Sequence, residues 1–201
     1  MLVLSKYTFF ILLLSCSYAF SQGAWKLKKG KDGIKVYSRS SKYSKFNEIK
    51  AEFSIKTSLF KFFSVMADIE KYPLWVYGTK SAVVMKRLNE GEVIYYSEIN
   101  APWPVSNRDF YSKIKISLDT IKRAITINSY SIPDFKPVKN GIIRIPYSTA
   151  DWTVSAVDNS TLNVVYKVAI DPGGKLPAWL VNMFATSGPI ESFTKLRERC
   201  K

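Results

Sequence analysis

An arginine and an aspartate stand side by side at the head of an apolar stretch, Arg108-Asp109-Phe110, just behind the proline-bracketed segment Ala101-Pro102-Trp103-Pro104. Counted by twos, Arg108 falls in step with Phe110, Ile114, Ile116 and Leu118, and Asp109 with Lys113 and Lys115. Such alternation builds a strand with one dry and one wet face, which places Arg108 on the dry side. A guanidinium there needs an acidic or carbonyl partner, because an unpaired buried charge is costly. Glu98, on the preceding strand-like run, is the candidate partner. The other arrangement the pattern allows is an arginine at a strand end that curls out to water. A buried Glu98–Arg108 pair is the expectation.

Little else in the chain offers reactive chemistry. There is no histidine, which excludes Ser-His-Asp and Cys-His nucleophile systems and histidine metal sites. Acid–base work would rest on Glu98, Tyr96 or Arg108, a thin set. Gly173-Gly174 lacks the context of a phosphate-binding loop. No catalytic residue, metal or cofactor is expected.

The positions before Gln22 hold one charge, Lys6, then an apolar run through Leu14 and the small-residue end Ala19-Phe20-Ser21. That is the layout of a secretory signal peptide over 1–21, too short to span a membrane comfortably. Cleavage before Gln22 is expected, which makes the protein secreted or periplasmic. The rival reading is a lipoprotein signal at Leu13-Leu14-Ser15-Cys16, with Cys16 lipidated and the protein membrane-anchored. Cys200 is then the one cysteine left, so no intramolecular disulfide is expected and the fold must stand on packing.

The rest, 22–201, is enough for one domain with a substantial core. The 201-residue chain carries a net charge of +14. Lys26, Lys28, Lys29, Lys31, Lys35, Arg39, Lys42 and Lys45, opposed only by Asp32 and interleaved with Trp25, Tyr37 and Tyr43, concentrate much of it at 24–45. This stretch is either a solvated face that keeps the protein soluble or a contact for an anionic membrane surface. Export argues against nucleic acid, and a monomer is expected.

The elements that must position Arg108 follow from periodicity. Residues 46–56 alternate cleanly, with Ile49, Ala51, Phe53 and Ile55 on one parity and charges on the other. Thr57 or Ser58 suits an N-cap for a helix in which Leu59, Phe62, Phe63, Met66 and Ile69 recur at helical spacing, ending near Pro73. That stripe reads as plain core. Strands are expected at about 79–88, 93–100, 110–118, 124–132, 142–147, 151–157 and 162–170, with short turn-rich links that favour an antiparallel meander. Pro102 and Pro104 stiffen the connection ahead of Arg108. A last helix opens at Pro177, with Trp179, Leu180, Met183, Phe184, Ile190, Phe193 and Leu196 on one broad side. Gly188-Pro189 in its middle predicts a kink near Ala185 and a hinge. That helix is the only long element left to cover the apolar face of the sheet.

Three segments carry a family resemblance: PWP-x-x-x-RDF at 102–110, DIEKYPLWVYGTKSAVVMKRL at 68–88 and DPGGKLPAWLVNMF at 171–184. In that order, over about 34–197, the chain resembles the START family (steroidogenic acute regulatory protein-related lipid transfer domains) of the wider SRPBCC helix-grip superfamily. The resemblance implies an α+β helix-grip fold, a curved antiparallel sheet wrapped around the C-terminal helix with a hydrophobic cavity between them. It also implies a binding and transfer protein whose partner is a lipid or other hydrophobic small molecule. The ligand-contacting set expected on this basis is Glu98, Trp103, Arg108, Phe110, Arg144, Trp152, Trp179, Met183 and Phe184. The rival function is a cyclase or aromatase-like enzyme using the same cavity.

Overall fold

A computed structural model of the chain describes residues 23–41 and 46–201, apart from the side chains of Ala178, Trp179, Asn182 and Met183. The expected leader with Cys16, the basic and aromatic positions Lys42, Tyr43 and Lys45, and two expected ligand contacts, Trp179 and Met183, lie outside what it describes.

Residues alternating with period two build one curved sheet: β1 (Lys26–Lys31), β2 (Ile34–Arg39), β3 (Glu48–Lys56), β4 (Thr79–Asn89), β5 (Glu92–Ile99), β6 (Arg108–Asp119), β7 (Ala124–Ser131), β8 (Ile143–Arg144), β9 (Tyr147–Ala156) and β10 (Thr161–Asp171). The order is β1-β2-β3-β10-β9-β7-β6-β5-β4, antiparallel throughout, with β8 running parallel along the start of β6. The jump from β3 to the far edge is made by α1 (Leu59–Ala67) and a 3₁₀ turn (Ile69–Leu74). Ser58 Oγ accepts from the Lys61 amide and caps α1. Thr57 instead donates to the Cys200 carbonyl at 2.9 Å, pinning the C-terminus beside the entry to α1.

The helix α2 (Ala178–Arg199) lies in the grip of the sheet. Its second half is the clamp. Phe193 stacks on Phe53 of β3 at 4.7 Å and meets Trp152 of β9 and Tyr166 of β10 edge-on, each at 5.4 Å. Leu196 has no exposed surface, and Arg197 donates to the carbonyls of Asp32 and Ser54. Aromatic side chains bury roughly 150–250 Å² each, so this cluster supplies much of the attachment of α2. The α+β helix-grip arrangement is the one expected.

Two elements differ from expectation, and a third takes a form the pattern left open. The basic stretch is the hairpin β1–β2: β1 is exposed along its length, while Ile34 and Val36 of β2 are fully buried. The strand expected at 142–147 shrinks to β8, because Pro146 has no N–H for the ladder. Finally, α2 is not the sole cover of the sheet. Met66 of α1, core as expected, also belongs with Tyr72 of the 3₁₀ turn and Trp75 just after it to a second lid over the cavity.

Candidate functional site

Between the sheet, α2 and the α1–3₁₀ segment lies a cavity of about 240 Å³. Strand alternation builds its floor. Tyr95, Ser97 and Ile99 point in from β5, Phe110 and Ile114 from β6, and Ser148, Ala150 and Trp152 from β9. Gly188, Pro189, Ser192 and Phe193 of α2 close one side. Gly188 sits close under the Tyr77 ring: a Cβ there would lie 3.2 Å from it. Ser192 Oγ accepts from the Tyr77 amide at 2.9 Å, tying α2 to the segment before β4.

Most of the wall is apolar, and its polar side-chain groups are hydroxyls and the Trp75 indole N–H. Tyr72 donates to the Met66 carbonyl at 2.8 Å. Burial pushes the Tyr95 phenol up to about 12, and raises those of Tyr72 and Tyr166 as well. These phenols stay protonated and uncharged at neutral pH. No charged side chain is among the described wall residues. Trp75, also in the wall, has its Nε1 buried without an acceptor. Among the described residues no cluster of three His, Cys, Asp or Glu side chains could hold a metal ion.

The expected contacts divide. Phe110 and Trp152 line the cavity. Phe184 sits one layer behind, edge-on to Tyr77 at 5.6 Å. Trp103 does not face the interior: it is 92 % exposed at the tip of the proline-rich connection. The expected Glu98–Arg108 pair does not form. Register sets Glu98 opposite Asp109 and Ile99 opposite Arg108, so Glu98 lies on the outer face. There it accepts from Lys80 Nζ at 2.8 Å and from Asn107 Nδ2 at 3.0 Å, and these bonds hold its carboxyl below the usual range. Arg108 lies on the inner face as its parity requires, only 5 % exposed. Its Nη1 donates to the Ser106 carbonyl, while Nε and Nη2 have no acceptor among the described residues.

Arg144 also turns away from the cavity. It forms a bidentate pair with Asp109, Nε to Oδ1 at 2.7 Å and Nη2 to Oδ2 at 3.2 Å, and donates to the carbonyls of Pro133, Lys136 and Pro137. Asp109 is wholly buried rather than on a wet face. The reason is that β8 and the 132–142 loop cover the outer side of β5–β6, where Tyr96, Tyr111 and Phe135 pack together. The wall residues not anticipated from sequence are chiefly Tyr72, Trp75, Tyr95, Ser97, Ser129, Ser148, Tyr166 and Ser192. For Tyr95, Ser97, Ser129, Ser148 and Tyr166 the available signal was hydroxyl groups at strand positions; Tyr72, Trp75 and Ser192 lie off the strands.

Residues 17–201 match the family model described as START domain. The chain belongs to the START domain family. A STAR-related lipid transfer protein fragment from Xanthomonas axonopodis superposes on this START domain with a TM-score of 0.78 at 30% identity, over 88% of this chain and 98% of that one. An uncharacterized protein of Pseudomonas aeruginosa is 30% identical, covering 86% of this chain and 85% of its own. The phosphatidylcholine transfer protein of Rattus norvegicus is 29% identical, covering 88% and 83%. An aromatase/cyclase of Streptomyces shares only the fold, at 11% identity and a TM-score of 0.53 over 76% of this chain and 92% of its own.

Proposed function

We propose that this START domain takes up one hydrophobic, lipid-like molecule in the cavity beneath α2 and carries or shields it in an extracytoplasmic compartment. The observation that carries the reading is the apolar space itself, walled by neutral groups and gripped by α2. A concave, mostly apolar pocket with a few polar groups is the default site for a hydrophobic ligand. Similarity to a phosphatidylcholine transfer protein supports the ligand class. The secretory layout of 1–21 supports the compartment, and the exposed lysines of β1 support contact with an anionic membrane during exchange.

An enzyme of cyclase type is the weaker reading. Of the acid–base candidates, Glu98 and Tyr96 stand on the outer face, where Tyr96 is held by Lys139, and Arg108, on the inner face, stays a cation and is no base. Inside, the phenols are shifted away from acting as bases at neutral pH.

Native mass spectrometry of the protein isolated from its own cell envelope tests the proposal in one measurement. The expected spectrum shows a mature chain beginning at Gln22 with one unaltered lipid bound. A lipid-modified Cys16 would move the protein to a membrane anchor, and an intact Met1 in the cytoplasm would overturn the compartment. Turnover of an added polyketide-like substrate, with no lipid carried, would overturn the carrier role.

A further inference from the structure

We infer that the ligand is an acidic amphiphile, a single apolar chain ending in an oxyanion, and that Arg108 receives the oxyanion. The inference rests on the lipid-carrier reading and adds the chemistry of the headgroup.

Arg108 is 5 % exposed, with Nε and Nη2 lacking any acceptor among the described residues. A buried guanidinium in that state is costly, because it has lost water and gained no counter-charge. Burial accordingly lowers its pKa, although the group remains a cation. The nearby acids are committed elsewhere. Asp109 is held by Arg144 on the opposite face, and Glu98 is held by Lys80 and Asn107. Asp171 Oδ1 accepts from the Gly173 amide and makes no ion pair with Arg108.

Arg108 is not itself a wall residue of the cavity, but its neighbours on the sheet are. Arg108 shares the inward face of β6 with Phe110 and Ile114, and its cross-strand partner is Ile99; all three line the cavity. Beside the guanidinium runs the turn Gly173–Gly174, both glycines at positive φ. A Cβ on Gly173 would meet the Arg144 carbonyl at 3.0 Å. One on Gly174 would lie 3.0 Å from Ile143 Cδ1 and 3.8 Å from Arg108 Nη2. Backbone without side chains therefore passes next to the free nitrogens. Two adjacent guanidinium donors match the two oxygens of a carboxylate or phosphate. The volume sets the chain number. At about 240 Å³ the cavity is below the usual ~300–1,000 Å³ of small-molecule sites, which suits one chain better than two.

The test compares ligands that share a chain and differ in headgroup: oleate, oleyl alcohol and monooleoyl lysophosphatidate, titrated against the full chain and the variants Arg108→Met and Arg108→Lys. The wild-type protein is expected to bind at least one acid about tenfold or more tightly than the alcohol. Arg108→Met should lose that preference while still binding the alcohol, and Arg108→Lys should keep part of it. The tighter of oleate and lysophosphatidate tells a fatty acid from a phospholipid-derived headgroup. Should Arg108→Met fail to fold, the wild-type guanidinium ¹⁵N resonances decide: they should shift with the acid and not with the alcohol. Equal binding of acid and alcohol by the wild-type protein overturns the inference and leaves the carrier reading standing. So does an undiminished preference in Arg108→Met. Binding of none of the three overturns both.

Discussion

Asp109 and Arg144 form the most deeply buried ion pair among the described residues, with side-chain exposures of 0% and 7%. The Asp109 bonds hold the Arg144 guanidinium above its ordinary pKa, against the opposing effect of burial. The pair joins β6 to β8 and fastens the 132–142 loop over the outer face. Deleting one partner strands the other charge and costs about 3–5 kcal/mol, whereas replacing both with apolar groups often costs little. Asp109→Ala is therefore expected to lose about 3–5 kcal/mol in denaturant unfolding, and Asp109→Leu with Arg144→Met to lose less. A loss under about 0.5 kcal/mol in the single variant, the range of ordinary surface changes, would mean the loop is held by other contacts. The same two strands show what the residue pattern reveals. Arg108 reads as inward because β6 alternates. Its lack of a partner does not read, because Val93, Ile94, Tyr95 and Tyr96 of β5 are all buried. A strand covered on both faces has no wet parity to place Glu98 by.

At the scale of elements, α2 is the part of the wall expected to move. The helix runs continuously from Ala178 to Arg199 with Pro189 inside it, and proline removes one helical hydrogen bond and crowds the carbonyl of Ala185. Sequence shows that weakness but not what faces the neighbouring glycine, which is Tyr77 from a segment more than a hundred residues away. The distinction matters for experiment. Gly188→Ala puts a methyl group 3.2 Å from the Tyr77 ring, so its effect mixes the gain of about 1 kcal/mol in helix propensity with the yielding of that ring. Pro189→Ala tests the hinge more cleanly. It is expected to stiffen α2, slow lipid exchange between vesicles severalfold and leave equilibrium affinity unchanged. Exchange at the wild-type rate in the folded variant would place the entrance elsewhere. The cavity beside this helix has no sequence signature of its own. The apolar positions that line it are the same residue types that would fill it, and only the distance between sheet and lids decides which occurs.

At the scale of the whole molecule, the unbalanced positive charge has a place. It gathers on β1, which forms one edge of the sheet, with Lys26, Lys28, Lys29 and Lys31 all exposed. The register slips between Leu27 and Lys29, leaving a bulge. Lysines and bulges on an edge strand discourage pairing with another chain, so protection of the edge alone would account for the charge. A second observation favours docking. Lys29 Nζ lies 3.2 Å from Ser187 Oγ, next to Gly188 and Pro189, so an anionic surface that engages β1 meets the protein beside the proposed hinge. Each lysine near an anionic membrane contributes about 1 kcal/mol, and the attraction falls off within a Debye length of about 8 Å at physiological salt. Reversing Lys26, Lys28 and Lys29 to glutamate removes three positive charges and adds three negative ones. Binding to phosphatidylserine-containing vesicles is expected to drop at least a hundredfold at low salt, by that arithmetic, and wild-type binding should weaken steeply as salt is raised. Cosedimentation measures both. Edge protection alone predicts a different result: equal wild-type binding to neutral and anionic vesicles at every salt concentration, together with self-association of the reversed variant.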